Sequence, residues 1–290
     1  MYGYIGFLIA LLGSSVAAWW DLRTTEVPDY VSVTTAAAGL LFNAGLWIYT
    51  GEPFYIISSL VVGTVFFAVG WIFFMTGVWG GADALVMGAA GYALPYLPEA
   101  FSPLFVAEWP FAFTLLFNIF IVGTIYTLGF AVYQGLKSEK VMSEFLKDMK
   151  DYWKRIVWIF VLYSGVLLGV SHFYGSGVSE GVQYIQLTAP LLVGMLMVYR
   201  YLRIVEDHGM REEIPVEELS EGDVLAEDVE TEEGTIDSGK IVGITGEQVE
   251  RIKEVSERVS IKYGVMFVPA FPVAILLSVT VGDIIYMLLV

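Results

Sequence analysis

Asp21, Glu26 and Asp29 follow an uncharged run, Asp83 opens another, and Asp283 closes a third. An ionisable group in or beside a bilayer costs several kcal/mol, which makes each a functional candidate by default. Asp21 and Asp83 are 62 positions apart, yet alternate crossings of a membrane bring both to one face. Two carboxyl groups in one small volume repel as anions, so a protonated acid comes to stand beside a carboxylate. The carboxylate can deprotonate a water as it attacks a peptide carbonyl, while the acid protonates the carbonyl oxygen. Cation binding or proton relay would use the same pair equally well. The chain has no Cys, which removes thiol nucleophiles, disulfides and cysteine-built zinc sites. His172 and His208 are too few and too far apart for a histidine-built metal centre, so neither a metal nor a cofactor is expected.

The elements that must position these acids follow from composition. Of 290 residues, 57% are hydrophobic and only 16% charged, against about 45–50% and about 25% in soluble domains. Residues 1–20, 30–51, 53–82, 84–98, 109–136, 156–179, 181–199 and 263–282 contain no Asp, Glu, Lys or Arg. A membrane span needs about 20 apolar residues, with tolerance for shorter pieces inside a bundle. The expectation is an α-helical polytopic membrane protein with about eight transmembrane helices, near 2–20, 31–50, 54–76, 84–98, 110–135, 156–174, 182–200 and 266–289. The first run lacks a basic flank and a small-residue cleavage pattern, so it reads as a retained helix. The fourth is short and holds Gly88 and Gly91, which suits a segment buried among other helices.

Basic residues stay on the cytoplasmic side. With the N-terminus outside and eight spans, all fifteen Lys and Arg fall inside, and the outer connections hold Glu52, Glu99, Glu108 and Glu180. Asp21 and Asp83 then share the cytoplasmic membrane boundary of a multi-pass cell-membrane protein. The expected parts are a membrane core over 1–136, an amphipathic connector over 137–155, a transmembrane hairpin over 156–201, an acidic cytoplasmic subdomain over 202–262 and a last transmembrane helix over 263–290. The connector places Val141, Phe145, Met149 and Trp153 at four-residue steps, as an interfacial helix or a solvated link would. Residues 200–262 carry eighteen acidic and eight basic side chains. Their apolar pattern is strand-like from Val224 to Ile244, through Ile241 and Val242, then helical through Val249, Ile252, Val255 and Val259, with capping-box spacing at Thr245 and Gln248. A small β/α insertion is expected. The net charge of −16 excludes a broad nucleic-acid surface.

Local sequence sharpens the choice of chemistry. Asp21-Leu22-Arg23-Thr24-Thr25-Glu26-Val27-Pro28-Asp29 resembles the first-aspartate segment of type IV prepilin peptidases, D-x-R-x-x-x-[IV]-P-[DN]. Gly80-Gly81-Ala82-Asp83 resembles the second-aspartate motif, GxGD, of intramembrane aspartyl proteases. With Pro269 through Asp283, the chain is similar to archaeal preflagellin and prepilin peptidases, and residues 214–272 look like an extra region of longer members. The resemblance implies Asp21 and Asp83 as the catalytic pair and Gly80, Gly81 and Ala82 as an active-site turn, opened by glycines able to take positive φ. Ala82 departs from the second motif glycine. Arg23 and Pro28 would position the first loop, while Glu26 and Asp29 would either receive basic leader residues or stay solvated. The implied partners are archaellin or pilin precursors with a basic leader, a small residue before the cut and an apolar helix after it, together with membrane lipid. The sequence leaves the oligomeric state open. Bacterial relatives that also methylate often carry a four-cysteine loop, and this chain has no Cys to support that activity.

Other readings compete. A transporter would use Asp21, Asp83 and Asp283 as ion sites, but no inverted repeat is visible and both motif aspartates lie at one face. A presenilin-like or signal-peptide-peptidase-like protease normally has Tyr before its first aspartate, where Trp20 stands here. A scaffold with an inert membrane core is the third. Among remaining residues, Asp283 is expected in a buried helix–helix hydrogen bond, His172 at an outer helix end and Asp207-His208 in a hydrated hinge. Trp19, Trp20, Trp47, Trp79, Trp109 and Trp153 read as interfacial anchors.

Overall fold

A computed structural model describes residues 4–173, 177–238 and 243–289. Its helices are α1 (Ile5–Thr24), α2 (Asp29–Thr50), α3 (Phe54–Met75), α4 (Gly81–Ala93), α5 (Phe111–Lys137), α6 (Glu139–Phe173), α7 (Gly177–Gly209), α8 (Gly246–Val255), α9 (Ala270–Thr280) and α10 (Ile284–Leu289). Among the described residues six helices are long and apolar enough to cross a membrane: α1, α2, α3, α5, α6 and the Thr188–Gly209 part of α7. The protein is a mostly helical, polytopic membrane protein.

About eight spans were expected, the fourth of them short, and the difference from six lies in the fourth and the last. At about 1.5 Å per residue, the 13 residues of α4 and the 11 of α9 fall well short of a bilayer of about 30 Å. Pro95 forces Leu94 out of helical geometry and stops α4. Gly282, at φ +95°, ends the uncharged run that α9 occupies. A side chain there would strike the Phe105 carbonyl, so only glycine fits. Both short helices survive because they are interior. Almost every α4 residue from Asp83 onward is buried, and one apolar core joins Phe7, Ala17 and Val31 to Phe66, Met87, Leu115, Phe271 and Ile275. Close approach depends on small residues: a Cβ on Gly70 of α3 would stand 2.8 Å from the Ala84 Cα of α4.

The last segment is tied to the start of α5 by a polar cluster centred on the fully buried Asp283, Asn118 and Ser278. Asp283 accepts hydrogen bonds from Trp109 Nε1 at 2.8 Å and Thr114 Oγ1 at 2.9 Å, both on Oδ2, and from the Tyr286 amide at 2.8 Å. Asn118 donates to the Gly282 carbonyl and Ser278 Oγ and accepts from the Ile284 amide. Asp283 therefore makes the structural hydrogen bonds expected of it. Trp109, itself exposed, is one of its donors.

The stretch over 137–155 is not a separate connector helix. It forms the first half of α6, which continues unbroken into the apolar stretch. Val141 is buried against the C-terminal ends of α5 and α7, and the Phe145 ring meets Tyr201 at 5.2 Å. Arg200 pairs with Asp148 across α6 and α7. His172 is exposed near the far end of α6, and Asp207-His208 lies within the last turn of α7 rather than in a hinge.

The insertion starts after Gly209. Strands β1 (Arg211–Pro215), β2 (Val224–Leu225), β3 (Val229–Thr231), β4 (Gly234–Ile236) and β5 (Arg258–Lys262) build an antiparallel sheet in the order β1-β5-β2 and a β3-β4 hairpin. Thr245 and Gln248 form the expected capping box at the start of α8. The helix stops at Val255, and Val259 belongs to β5, where Val259 and Ile261 alternate with polar neighbours. Ile241 and Val242 lie outside the described residues. Two hydrogen bonds from Ser238 hold the Asp228 carboxyl below the usual carboxylate range. The first and last strands are partners, with Arg211 opposite Lys262, and the Tyr263 amide donates to the Met210 carbonyl. Tyr263 Oη also donates to the Gly209 carbonyl at 2.9 Å and accepts from Gln134 Nε2 at 2.8 Å, so the insertion enters and leaves the bundle at one point.

Candidate functional site

Asp21 occupies the last full turn of α1 and is only 6% exposed. The helix closes at Thr25, whose φ of +57° is the left-handed conformation that a β-branched residue rarely adopts. The Thr25 amide donates to the Asp21 carbonyl at 2.9 Å, and Thr24 Oγ1 reaches both the Trp20 and the Glu26 carbonyl. Val27 is buried, Pro28 caps α2 in extended geometry, and Asp29 begins that helix, where a negative side chain suits the macrodipole. Arg23 lies over the Trp19 ring at 4.3 Å. Glu26 and Asp29 are exposed on the same turn.

Asp83 is the third residue of α4 and is likewise 6% exposed. Its Oδ2 accepts from the Gly80 amide at 2.9 Å, which satisfies the donor just ahead of the helix. Neither Gly80 nor Gly81 has positive φ; Gly77 takes that role at +72°. A Cβ on Gly81 would meet Phe74 at an ordinary 3.7 Å. The expectation that Gly80 and Gly81 are needed for positive φ is thus corrected, and Ala82 sits half-buried in the first turn of α4 without strain.

α1 and α4 pack together, and α1 also packs on α9. The two carboxyl groups are within electrostatic reach of one another, and Tyr126 of α5 is within reach of Asp21. Asp21 Oδ2 accepts from the Val268 amide at 3.1 Å. Among the described residues, each aspartate thus accepts through Oδ2 from a single backbone amide. Trp79 is no interfacial anchor: its ring lies 5.1 Å from Phe73, 5.0 Å from Phe267 and 5.6 Å from Phe120, an aromatic wall immediately before Gly80. Trp19, Trp47 and Trp153 are exposed, and Trp20 is half-buried. Val268, Phe267 and Tyr126 escaped the sequence reading. An amide carries no side-chain signature, and the rings read as span residues.

No three His, Asp or Glu side chains converge in metal-binding geometry among the described residues. A cavity of about 370 Å³ lies at the opposite end of the bundle, lined by Phe42, Tyr49, Phe54, Tyr55 and Tyr96. It is remote from the aspartates, and Tyr96 there donates to the buried Asn43.

Fold and site together define a polytopic helical membrane protein with two buried aspartates on neighbouring, packed helices. Residues 7–128, which contain both, match the type IV leader peptidase family. The chain is 33% identical over 100 residues to the preflagellin peptidase of Methanocaldococcus jannaschii, covering 34% of this chain and 43% of that protein. It is 24% identical over 172 residues to the prepilin peptidase EppA of Methanothermobacter thermautotrophicus, covering 57% and 45%. Against the preflagellin peptidase of Methanococcus voltae the identity is 29% over 160 residues, covering 51% and 67%. The chain thus spans less than half the length of the first two relatives. No solved structure matches.

Proposed function

We propose that this chain is a membrane-embedded aspartic endopeptidase that removes the short basic leader of archaellin or type IV pilin-like precursors at the cytoplasmic membrane boundary. Asp21 and Asp83 form the catalytic pair. One carboxylate takes a proton from water as it attacks the scissile carbonyl, and the other carboxyl gives a proton to the carbonyl oxygen. The two titrate as a unit, so the roles belong to the pair. The observation that carries this reading is the pair itself: two buried aspartates from separate helices, each fixed through one oxygen by a backbone amide. Glu26 and Asp29, exposed beside Asp21, are placed to meet the basic leader, while Pro28 holds their turn. Gly80, Gly81 and Ala82 form the edge along which substrate backbone approaches Asp83. The test incubates lipid-embedded protein with a panel of precursors and locates any new N-terminus by mass spectrometry. Cleavage between a basic leader and an apolar helix, unchanged by EDTA, is the expected result. A panel left uncut by folded protein overturns the reading.

The same reading sets an orientation, with the N-terminus outside and the insertion in the cytoplasm. The chain has no Cys, so single cysteines report cleanly. An impermeant maleimide on intact cells is expected to label Glu52→Cys and Glu99→Cys and to miss Gly234→Cys until the cells are opened. Labelling of Gly234→Cys from outside would reverse the orientation.

A further inference from the structure

Asp83 receives its hydrogen bond from the amide of Gly80, and the residue just before Gly80 is Trp79. Asp21 receives its hydrogen bond from the amide of Val268, and the residue just before Val268 is Phe267. The Trp79 and Phe267 rings pack on one another at 5.0 Å. The two carboxylates are thus each held by an amide that follows an aromatic residue, and the two aromatic residues touch.

The Phe267–Val268 peptide is fixed at both of its polar ends. Its carbonyl accepts from the Ala270 amide at 3.0 Å, and its N–H donates to Asp21. The Val268 carbonyl in turn accepts from Phe271 at 3.0 Å, so the peptide is built into the entry turn of α9. The Phe267 ring lies over Gly123 of α5, where any Cβ would collide with it, and it meets Phe271 edge-on at 5.8 Å. Val268 itself is 1% exposed. A rigid amide in a buried place is a strong, directional partner for a carboxylate, because the low local dielectric strengthens the hydrogen bond.

We propose that Phe267-Val268 is a positioning unit of the active site: the Val268 amide orients the Asp21 carboxylate, and the Phe267–Trp79 contact sets its register against the amide that holds Asp83. The segment lies about 140 residues beyond the stretch that matches the family, so the site is completed by chain the family match does not include. The proposal rests on the peptidase reading above for its kinetic test, but its geometric core has a readout of its own.

The kinetic test replaces Val268 by its α-hydroxy acid through nonsense suppression, which exchanges the N–H for an ester oxygen and keeps the side chain. Loss of one charge-assisted hydrogen bond is expected to lower kcat about ten- to a hundredfold, with KM changed by less than about threefold. The same ester at Val273, an exposed residue inside α9, removes an ordinary helical hydrogen bond and is expected to keep kcat near the parent value. Parental kcat in a folded Val268 ester, or an equal loss at Val273, overturns the proposal. Should the ester fail to fold, a double-substitution cycle with Phe267→Leu and Trp79→Leu decides: coupled losses in kcat support the register role, and additive losses overturn it. The independent readout is the Val268 amide proton in ¹⁵N-valine-labelled protein. Asp21→Ala is expected to move it upfield and Asp83→Ala to move it much less. No response to Asp21→Ala overturns the contact even if the parent protein cleaves. A clear response in a protein that cleaves nothing leaves the contact standing and removes the peptidase reading.

Discussion

Asp21→Asn and Asp83→Asn each lower precursor cleavage by at least about a thousandfold, the scale on which an essential proton-transfer group contributes. Asparagine keeps the size of the side chain and an oxygen that can accept from Val268 or Gly80. What it loses is the ability to take or share a proton. Buried carboxylates are expensive to desolvate, so neither variant is expected to lose stability, and both should insert as the parent does. The double variant is expected to be no worse than either single one, since the pair acts as one device. The check is single-turnover cleavage followed by mass spectrometry, with thermal unfolding measured on the same samples. Robust cleavage by either folded variant would remove the aspartates from the chemistry.

Asn118→Ala is expected to bring the largest loss of stability. The side chain is fully buried and donates at 2.7 Å to the Gly282 carbonyl while accepting from the Ile284 amide at 3.2 Å. Alanine leaves both groups unpaired at the break between α9 and α10, where lipid offers no substitute partner. At about 1–3 kcal/mol for each stranded group, the loss is about 2–6 kcal/mol. Because α9 delivers the Val268 amide to Asp21, loosening its far end should also lower kcat before the protein unfolds globally. Denaturant titration in bicelles measures the first effect. A loss below about 1 kcal/mol would mean that water enters and replaces the amide.

The aspartates were legible because side-chain type, spacing and membrane side all pointed to the same two residues. Their partners were not, for a physical reason: the groups that hold Asp21 and Asp83 are amides of Val268 and Gly80, and every residue except proline has one. Spans were legible as uncharged runs, but polarity marks where a membrane ends and not where a helix does. That is why α6 runs unbroken through the charged 139–155 stretch, and why 263–282 holds a helix of only 11 residues. Val259 fitted a helical step and a strand alternation alike, and pairing with β1 decided for the strand. Trp79 misled because an amphipathic ring that suits a membrane surface also suits an interior cleft in which it can stack.

The neighbouring ends of the insertion have an evolutionary and a practical consequence. Arg211 and Lys262 face each other in an antiparallel ladder, with Cα atoms about 5 Å apart, so everything between them hangs from a single narrow stem. Chains of this kind can gain, lose or exchange a whole soluble module there while α7 and α9 keep their separation. Length differences among homologues at this position then carry no information about the membrane bundle. The stem is also a natural graft point for any reporter whose own termini are adjacent, such as an inserted fluorescent domain, which would ride on the membrane core without pulling on the strand that leads to Asp21.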